Sequence, residues 1–95
     1  MSYVLVVRLR AQEGNEERAA AVVRELAAAS NTEPGCEAYV PCVDPEDPRS
    51  LVIYEQYVDK AAWQAHSETE HFQRLGAGEL FPLMEARERG VFETL

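Results

Sequence analysis

Two side chains in the middle of the sequence, His66 and Glu55, could together carry out acid–base chemistry. Glu55 alternates with Leu51, Ile53 and Tyr57 in a segment typical of a β-strand, and His66 follows in a short segment that is predicted to be helical. An imidazole with an ordinary pKa near 6.5 can accept a proton close to neutral pH, and a carboxylate can orient it. We therefore predict His66 as a catalytic base and Glu55 as its partner.

A structural role for the same pair is the alternative. A carboxylate on an apolar strand face needs a hydrogen-bond partner when it is buried, because an unpaired charge in the interior is costly. A hydrogen bond between Glu55 and His66 would satisfy both groups without any catalysis.

The second histidine, His71, does not complete a metal motif. It follows His66 by five residues, which is about 140° around one continuous helix, so the two rings would share a face only if the helix broke near Thr69. The spacing matches no known pattern of metal ligands. We predict no metal site and no cofactor, and we count His71 among the candidate substrate-binding residues.

Aromatic side chains surround these histidines in the sequence. Trp63 precedes His66 by one helical turn, so the two should lie side by side if His66 points inward. Such residues are more often part of a core than of a pocket. We nevertheless predict that the aromatic residues nearest the histidines line a binding pocket: Tyr57, Trp63, Phe72 and Phe81.

Composition excludes several classes of partner. The chain has 95 residues and a formal net charge of −8, and its nine Lys and Arg are scattered, which argues against nucleic acid or an anionic membrane as a partner. A hydrophobic fraction of 46% is typical of a globular protein. No apolar run approaches the ~20 residues that span a bilayer, and the first residues do not resemble a signal peptide. We expect one cytoplasmic domain over residues 1–95, in which Cys36 and Cys42 remain reduced.

Hydrophobic periodicity predicts the order β-α-β-β-α-β. The first helix begins at an Asn15 cap and shows one apolar stripe at helical spacing. This order is the ferredoxin-like α+β pattern, with helices on one face of an antiparallel sheet. The opposite sheet face is also partly apolar, which favours a homodimer. The expected strands are 3–10, 36–43, 51–58 and 91–95, with a helix over 16–30, a loop over 44–50, short helical segments after Asp59 and Thr69, and a stop at Gly76.

An ordered set of motifs then resembles one family. The resemblance to the antibiotic biosynthesis monooxygenase domain family covers nearly the whole chain and implies a dimeric α+β barrel with one pocket per subunit, between sheet and helices. Haem-degrading relatives carry an Asn, a Trp and a His where this sequence has Val7, His66 and Gly76, so haem chemistry is not expected; we place Val7 in the predicted pocket. The motifs are Glu33-Pro34-Gly35-Cys36, Tyr54-Glu55-Gln56-Tyr57, Asp59, Ala62, His66 and Thr69-Glu70-His71-Phe72.

Three functions remain open on this basis. The leading prediction is a cofactor-independent monooxygenase that combines dioxygen with a small aromatic or quinol-like substrate. The second is an isomerase of a small phosphorylated keto-sugar, which would need an Arg or Lys in the pocket. The third is a ligand-binding or dimerisation module without turnover, for which a pocket collapsed by Trp63 and Phe72 would be the sign.

Overall fold

The computed structural model describes all residues 1–95 and confirms the ferredoxin-like α+β fold. Four antiparallel strands form one sheet in the order β2-β3-β1-β4, and the helices pack on one face of it. The elements are β1 Tyr3–Ala11, α1 Glu16–Ser30, β2 Cys36–Asp44, β3 Asp47–Tyr57, α2 Lys60–Ser67, a π-helix Phe72–Leu80, a short 3₁₀ turn Phe81–Leu83 and β4 Met84–Glu93.

Strand β1 lies at the centre because it is apolar on both faces. It pairs with β3 on one side, where Leu5 lies opposite Glu55 and Val7 opposite Ile53, and with β4 on the other. Side chains alternate along a strand, so Leu5, Val7 and Leu9 share the inner face with Ile53 and Glu55. The predicted pocket residues of β1 and β3 therefore lie beneath the helices.

Helix α1 covers one half of this inner face through the stripe that the sequence predicts. Its buried residues pack on β2 and β3 and against the π-helix. Asn15 precedes the helix as predicted, but its side chain makes no capping hydrogen bond. The buried set from α1 is Ala19, Val22, Val23, Leu26, Ala27 and Ser30.

The expected 44–50 loop and the expected start of the last strand are wrong. Residues 44–50 form a tight hairpin, because β2 runs to Asp44 and β3 begins at Asp47. Strand β4 begins at Met84, seven residues before the expected start at Val91. Its early half is charged, which an edge strand tolerates, and it therefore lacks the expected apolar signal.

Gly76 does not stop the helical segment as expected. The π-helix continues through it to Leu80, and Gly76 is buried against the ring of Phe72. A Cβ at this position would lie 3.0 Å from that ring, so glycine here serves close packing rather than termination.

The sheet face opposite the helices stays largely uncovered. Val6 and Tyr54 lie opposite each other across β1 and β3, and Val40 is the next residue across the sheet. Tyr54 is 37%, Val40 47% and Phe92 56% exposed. We call Val6, Val40, Tyr54 and Phe92 the outer face. No helix of the molecule has both the length and the apolar character needed to cross a membrane.

Candidate active site

A cavity of about 340 Å³ lies between the inner sheet face and the helical segments after β3. Its walls are mainly apolar, with Val7 and Ile53 on the sheet side and Trp63, Phe72 and Phe81 on the helical side. The polar side chains that reach it include Glu55 and His66, together with Arg87 and Arg89 from β4.

The structure places six of the eight candidate residues on the cavity wall: Val7, Glu55, Trp63, His66, Phe72 and Phe81. Tyr57 and His71 are not among the residues that line it. Tyr57 is fully buried, with its ring centroid 5.4 Å from that of His66. His71 contacts the same imidazole, with the two ring centroids 6.2 Å apart.

His66 is held rigidly in the interior. Only 1% of it is exposed, and the rings of Tyr39, Tyr57 and Phe72 pack around it with centroid distances of 5.6, 5.4 and 5.2 Å. Helix α2 carries it, and Asp59 caps that helix as predicted by accepting a 2.8 Å hydrogen bond from the backbone N–H of Ala62. The Nε2 atom of His66 is buried without a hydrogen-bond partner.

The predicted hydrogen bond between Glu55 and His66 does not form. The carboxylate bonded to His66 is Glu33, whose Oε2 lies 2.8 Å from Nδ1 of the imidazole. Glu55 instead accepts a 2.6 Å hydrogen bond from the hydroxyl of Tyr57, two residues along the same strand face. Both carboxylates are thus satisfied, but by different partners.

Glu33 reaches His66 because the connection between α1 and β2 runs directly against α2. A Cβ on Gly35 would lie 2.6 Å from the Cβ of Ala62, so only glycine permits this approach. The carbonyl of Gly35 also accepts a 2.9 Å hydrogen bond from the N–H of Val58. In the sequence, the Pro34-Gly35 pair after Glu33 indicates this contact, because a glycine in such a turn permits a close approach of two backbone segments.

His71 joins the same carboxylate. Its Nε2 lies 2.6 Å from Oε2 of Glu33. Helix α2 ends at Ser67, and the Thr69 hydroxyl accepts from the N–H of Phe72, so a break at Thr69 does bring the two histidines together.

Glu33, His66 and His71 offer three potential metal-ligand atoms within 4.8 Å of one another. This convergence differs from the expectation based on spacing. The same atoms are already hydrogen-bonded to one another, so an ion could enter only by displacing both hydrogen bonds.

Burial governs the proton affinities at the site. It lowers the pKa of His66, and the neighbouring Glu33 partly opposes that shift. Burial raises the pKa of Glu55 to about 7, although the hydrogen bond from Tyr57 works in the other direction. Burial also raises the pKa of Cys36 to about 11, so this free cysteine is a thiol and not a nucleophile at neutral pH.

Two arginines that were not predicted from the sequence complete the cavity. The guanidinium of Arg87 lies 4.1 Å from the ring centroid of Phe81, and that of Arg89 lies 5.1 Å from Trp63. Neither forms a salt bridge. Their spacing of two residues is the feature of the sequence that could have indicated them, because it places both side chains on one face of a strand.

Comparison with solved structures reproduces the fold along the entire chain. A conserved protein of unknown function from Bacteroides thetaiotaomicron is 30% identical, with a TM-score of 0.90 over 98% of this chain and 97% of that one. A Pseudomonas aeruginosa protein is also 30% identical, with a TM-score of 0.91 over 99% and 94%. A structure described as an antibiotic biosynthesis monooxygenase is 26% identical, with a TM-score of 0.90 over 98% of both chains.

Among curated proteins, none matches this sequence. The family model described as "antibiotic biosynthesis monooxygenase" matches residues 2–77, a span that includes β1, both α-helices, Glu33 and both histidines. The chain therefore belongs to the antibiotic biosynthesis monooxygenase family.

Proposed function

We propose that this protein is a cofactor-independent monooxygenase that oxidises a small aromatic or quinol-like substrate with dioxygen, using His66 as the base. The observation that carries the proposal is the Nε2 atom of His66, which is buried without a partner on a side chain that lines an apolar cavity. A buried polar atom in this state needs a partner, and a substrate hydroxyl would provide one.

The chemistry balances without an added reductant. His66 Nε2 takes the proton from a phenolic hydroxyl, and the electron-rich anion passes one electron to dioxygen. The two radicals combine in a new carbon–oxygen bond. Loss of water then converts a phenol and O₂ into a quinone and H₂O, so the substrate supplies all the electrons. Apolar walls keep solvent from the intermediates, and the aromatic side chains orient the ring.

The test is oxygen uptake with simple hydroquinones under metal-free conditions. We expect His66→Gln to lower the rate about 10²–10⁴-fold, which is the usual contribution of a positioned base. Gln64→Ala is the matched control, because Gln64 lies on the exposed side of the same helix. Equal rates for wild type and His66→Gln would contradict the proposal.

A second candidate function follows from Arg87 and Arg89. Two guanidinium groups without salt bridges at one cavity suit an anionic substrate, and an isomerase of a small phosphorylated keto-sugar needs such a cradle. His66 would then move the proton next to the carbonyl group. Proton exchange of such a sugar in D₂O, followed by NMR, tests this function. Exchange that is absent in wild type, or that persists unchanged in Arg89→Gln, would argue against it.

The open cavity also weighs against a module that only dimerises. Trp63 and Phe72 form part of its wall without filling it. A function that uses a bound small molecule therefore agrees better with this geometry.

A homodimer is the assembly that we propose for the outer face. Val40, Tyr54 and Phe92 expose apolar surface on an otherwise acidic chain, and a second copy of the sheet would cover it. Light scattering with size-exclusion chromatography should give twice the mass of the chain. Tyr54→Glu should yield a monomer. Val43→Glu should not, because Val43 is more exposed than Tyr54 and pairs with Leu51 on the inner face. A monomeric wild type would refute the dimer.

A further inference from the structure

We propose that Glu33 and His71 are positioning residues that hold His66 in the tautomer with its proton on Nδ1, which leaves the Nε2 lone pair free. This inference rests on the proposed role of His66 as a base. It concerns the ground state of the free protein, so it can be tested without turnover.

The hydrogen-bond geometry determines the tautomer. An ionised carboxylate only accepts hydrogen bonds, and Oε2 of Glu33 lies 2.8 Å from Nδ1 of His66. The imidazole must therefore donate from Nδ1. A neutral imidazole carries one N–H, so its Nε2 has a lone pair and no proton. This is also the atom that has no partner in the protein.

His71 fixes the carboxylate that fixes His66. Its Nε2 lies 2.6 Å from the same oxygen of Glu33, so two donors from different segments hold one acceptor. The Glu33 side chain is only 12% exposed, so these two hydrogen bonds replace much of its contact with water. Only 2% of the His66 side chain and 18% of the His71 side chain are exposed, so His71 closes the arrangement on its outer side.

The same arrangement stabilises the product of proton transfer. When the substrate O–H bond breaks and the Nε2–H bond forms, His66 becomes an imidazolium that already donates to the anionic Glu33. A charge-assisted hydrogen bond of this kind is stronger than a neutral one. The base is thus oriented before the reaction and its charge is balanced afterwards, which is the role of the third group in a nucleophile–base–carboxylate arrangement.

The direct test is ¹⁵N NMR of protein labelled at histidine. The chain has only two histidines, so the spectrum contains two rings and His71→Gln assigns them. At a pH where His66 is neutral, we expect a protonated Nδ1 and an unprotonated Nε2. A wild-type spectrum with the proton on Nε2 of His66 would overturn the inference, even if oxygen uptake still depended on His66.

Variants separate positioning from simple packing. The Gln side chain in His71→Gln keeps an N–H donor for Glu33, so the tautomer and most of the activity should survive. His71→Ala removes the donor, and we expect a mixed tautomer and about a 10-fold lower kcat. Glu33→Gln should mix the tautomers and lower kcat about 10–100-fold with little change in KM, the size of effect usual for a supporting hydrogen bond.

Equal tautomers and equal kcat in His71→Ala and His71→Gln would contradict the role of His71. Gln64→Ala serves again as the control on α2. If hydroquinones and keto-sugars are not turned over by any variant, the proposed function fails, while the NMR result still decides the inference.

Discussion

The inner face of the sheet has two ends that are buried for different reasons. Under α1 the buried side chains are mainly aliphatic, among them Val22, Val23 and Leu51, and Ser30 is the polar exception. Under α2, the buried side chains include Glu55 and His66, each of which has a polar partner. We call these the aliphatic end and the polar end.

The difference shows how one small fold can combine stability with chemistry. Apolar burial is favourable by itself, at roughly 25 cal/mol per Å². Burial of a carboxylate or an imidazole is unfavourable unless hydrogen bonds replace those to water. The aliphatic end should therefore supply the stability of the fold, and the polar end should consume part of it.

The first test of this difference is Leu51→Ala at the aliphatic end. Leu51 is 3% exposed and belongs to the core cluster, so its truncation should lower the free energy of unfolding by about 2–5 kcal/mol. Urea denaturation measures it. The neighbouring Val43, paired with Leu51 but 53% exposed, is the control, and Val43→Ala should change stability by no more than about 0.5 kcal/mol. Equal losses of unfolding free energy in Leu51→Ala and Val43→Ala would mean that burial at the aliphatic end does not supply the stability of the fold.

The second prediction concerns the cost of burying Glu55. Its folded pKa of about 7 lies above the ordinary glutamate value of 4.5, so the folded state binds more protons between these values. The free energy of unfolding should therefore fall as the pH rises from 4.5 through 7. A shift of this size corresponds to about 3 kcal/mol.

Glu55→Gln should remove this slope, because an amide does not ionise and its oxygen can still accept from Tyr57. The variant should be more stable than wild type at pH 8, with the difference shrinking toward pH 4.5. Thermal unfolding across this range measures it, with Glu17→Gln on the exposed side of α1 as the control. A constant difference between wild type and Glu55→Gln across this pH range would show that burial does not raise the pKa of Glu55.

The third prediction tests how the polar end is assembled. Gly35→Ala forces a Cβ to within 2.6 Å of the Cβ of Ala62, and this overpacking should cost about 1–3 kcal/mol. Because Glu33 lies two residues away, the same change should also disturb the tautomer of His66. Ala62→Gly in the same chain makes room for the new methyl group. If the loss in free energy of unfolding in the double variant equals the sum of the two single losses, the contact between Gly35 and Ala62 does not determine how closely these segments approach.

The two ends also differ in how far the sequence predicts them. The stripe of α1 and the alternation in β1 follow from periodicity, which works within one element. Glu33 and His66 lie 33 residues apart, and no local pattern relates them. Local patterns therefore favour Glu55, the nearest carboxylate on an apolar strand face, although Tyr57 on the same face is available as its partner.

The reach of local patterns also explains why the start of β4 was misplaced and why Arg87 and Arg89 were not predicted as cavity residues. A charged edge strand carries no apolar alternation, so Arg87 and Arg89 had no predicted element to place them. In contrast, the ordered set of motifs from Glu33 to Phe72 did indicate the family, and its first motif lies where two elements approach closely.

The smallest expected effect compares the helix starts of the two ends. Asp59 caps α2 with a 2.8 Å hydrogen bond to the N–H of Ala62, so Asp59→Ala should cost about 1 kcal/mol. Asn15 stands at the start of α1, but its side chain donates only to the side chain of Gln12 and caps no backbone N–H, so Asn15→Ala should cost at most about 0.5 kcal/mol. Urea denaturation of both variants compares them directly. The first turn of α2 contacts Gly35 and its last turn holds His66, so the loss in Asp59→Ala should come with a disturbed His66 spectrum. Asn15→Ala should leave that spectrum unchanged. An unchanged His66 spectrum in Asp59→Ala would mean that packing on the sheet, and not the cap, positions α2.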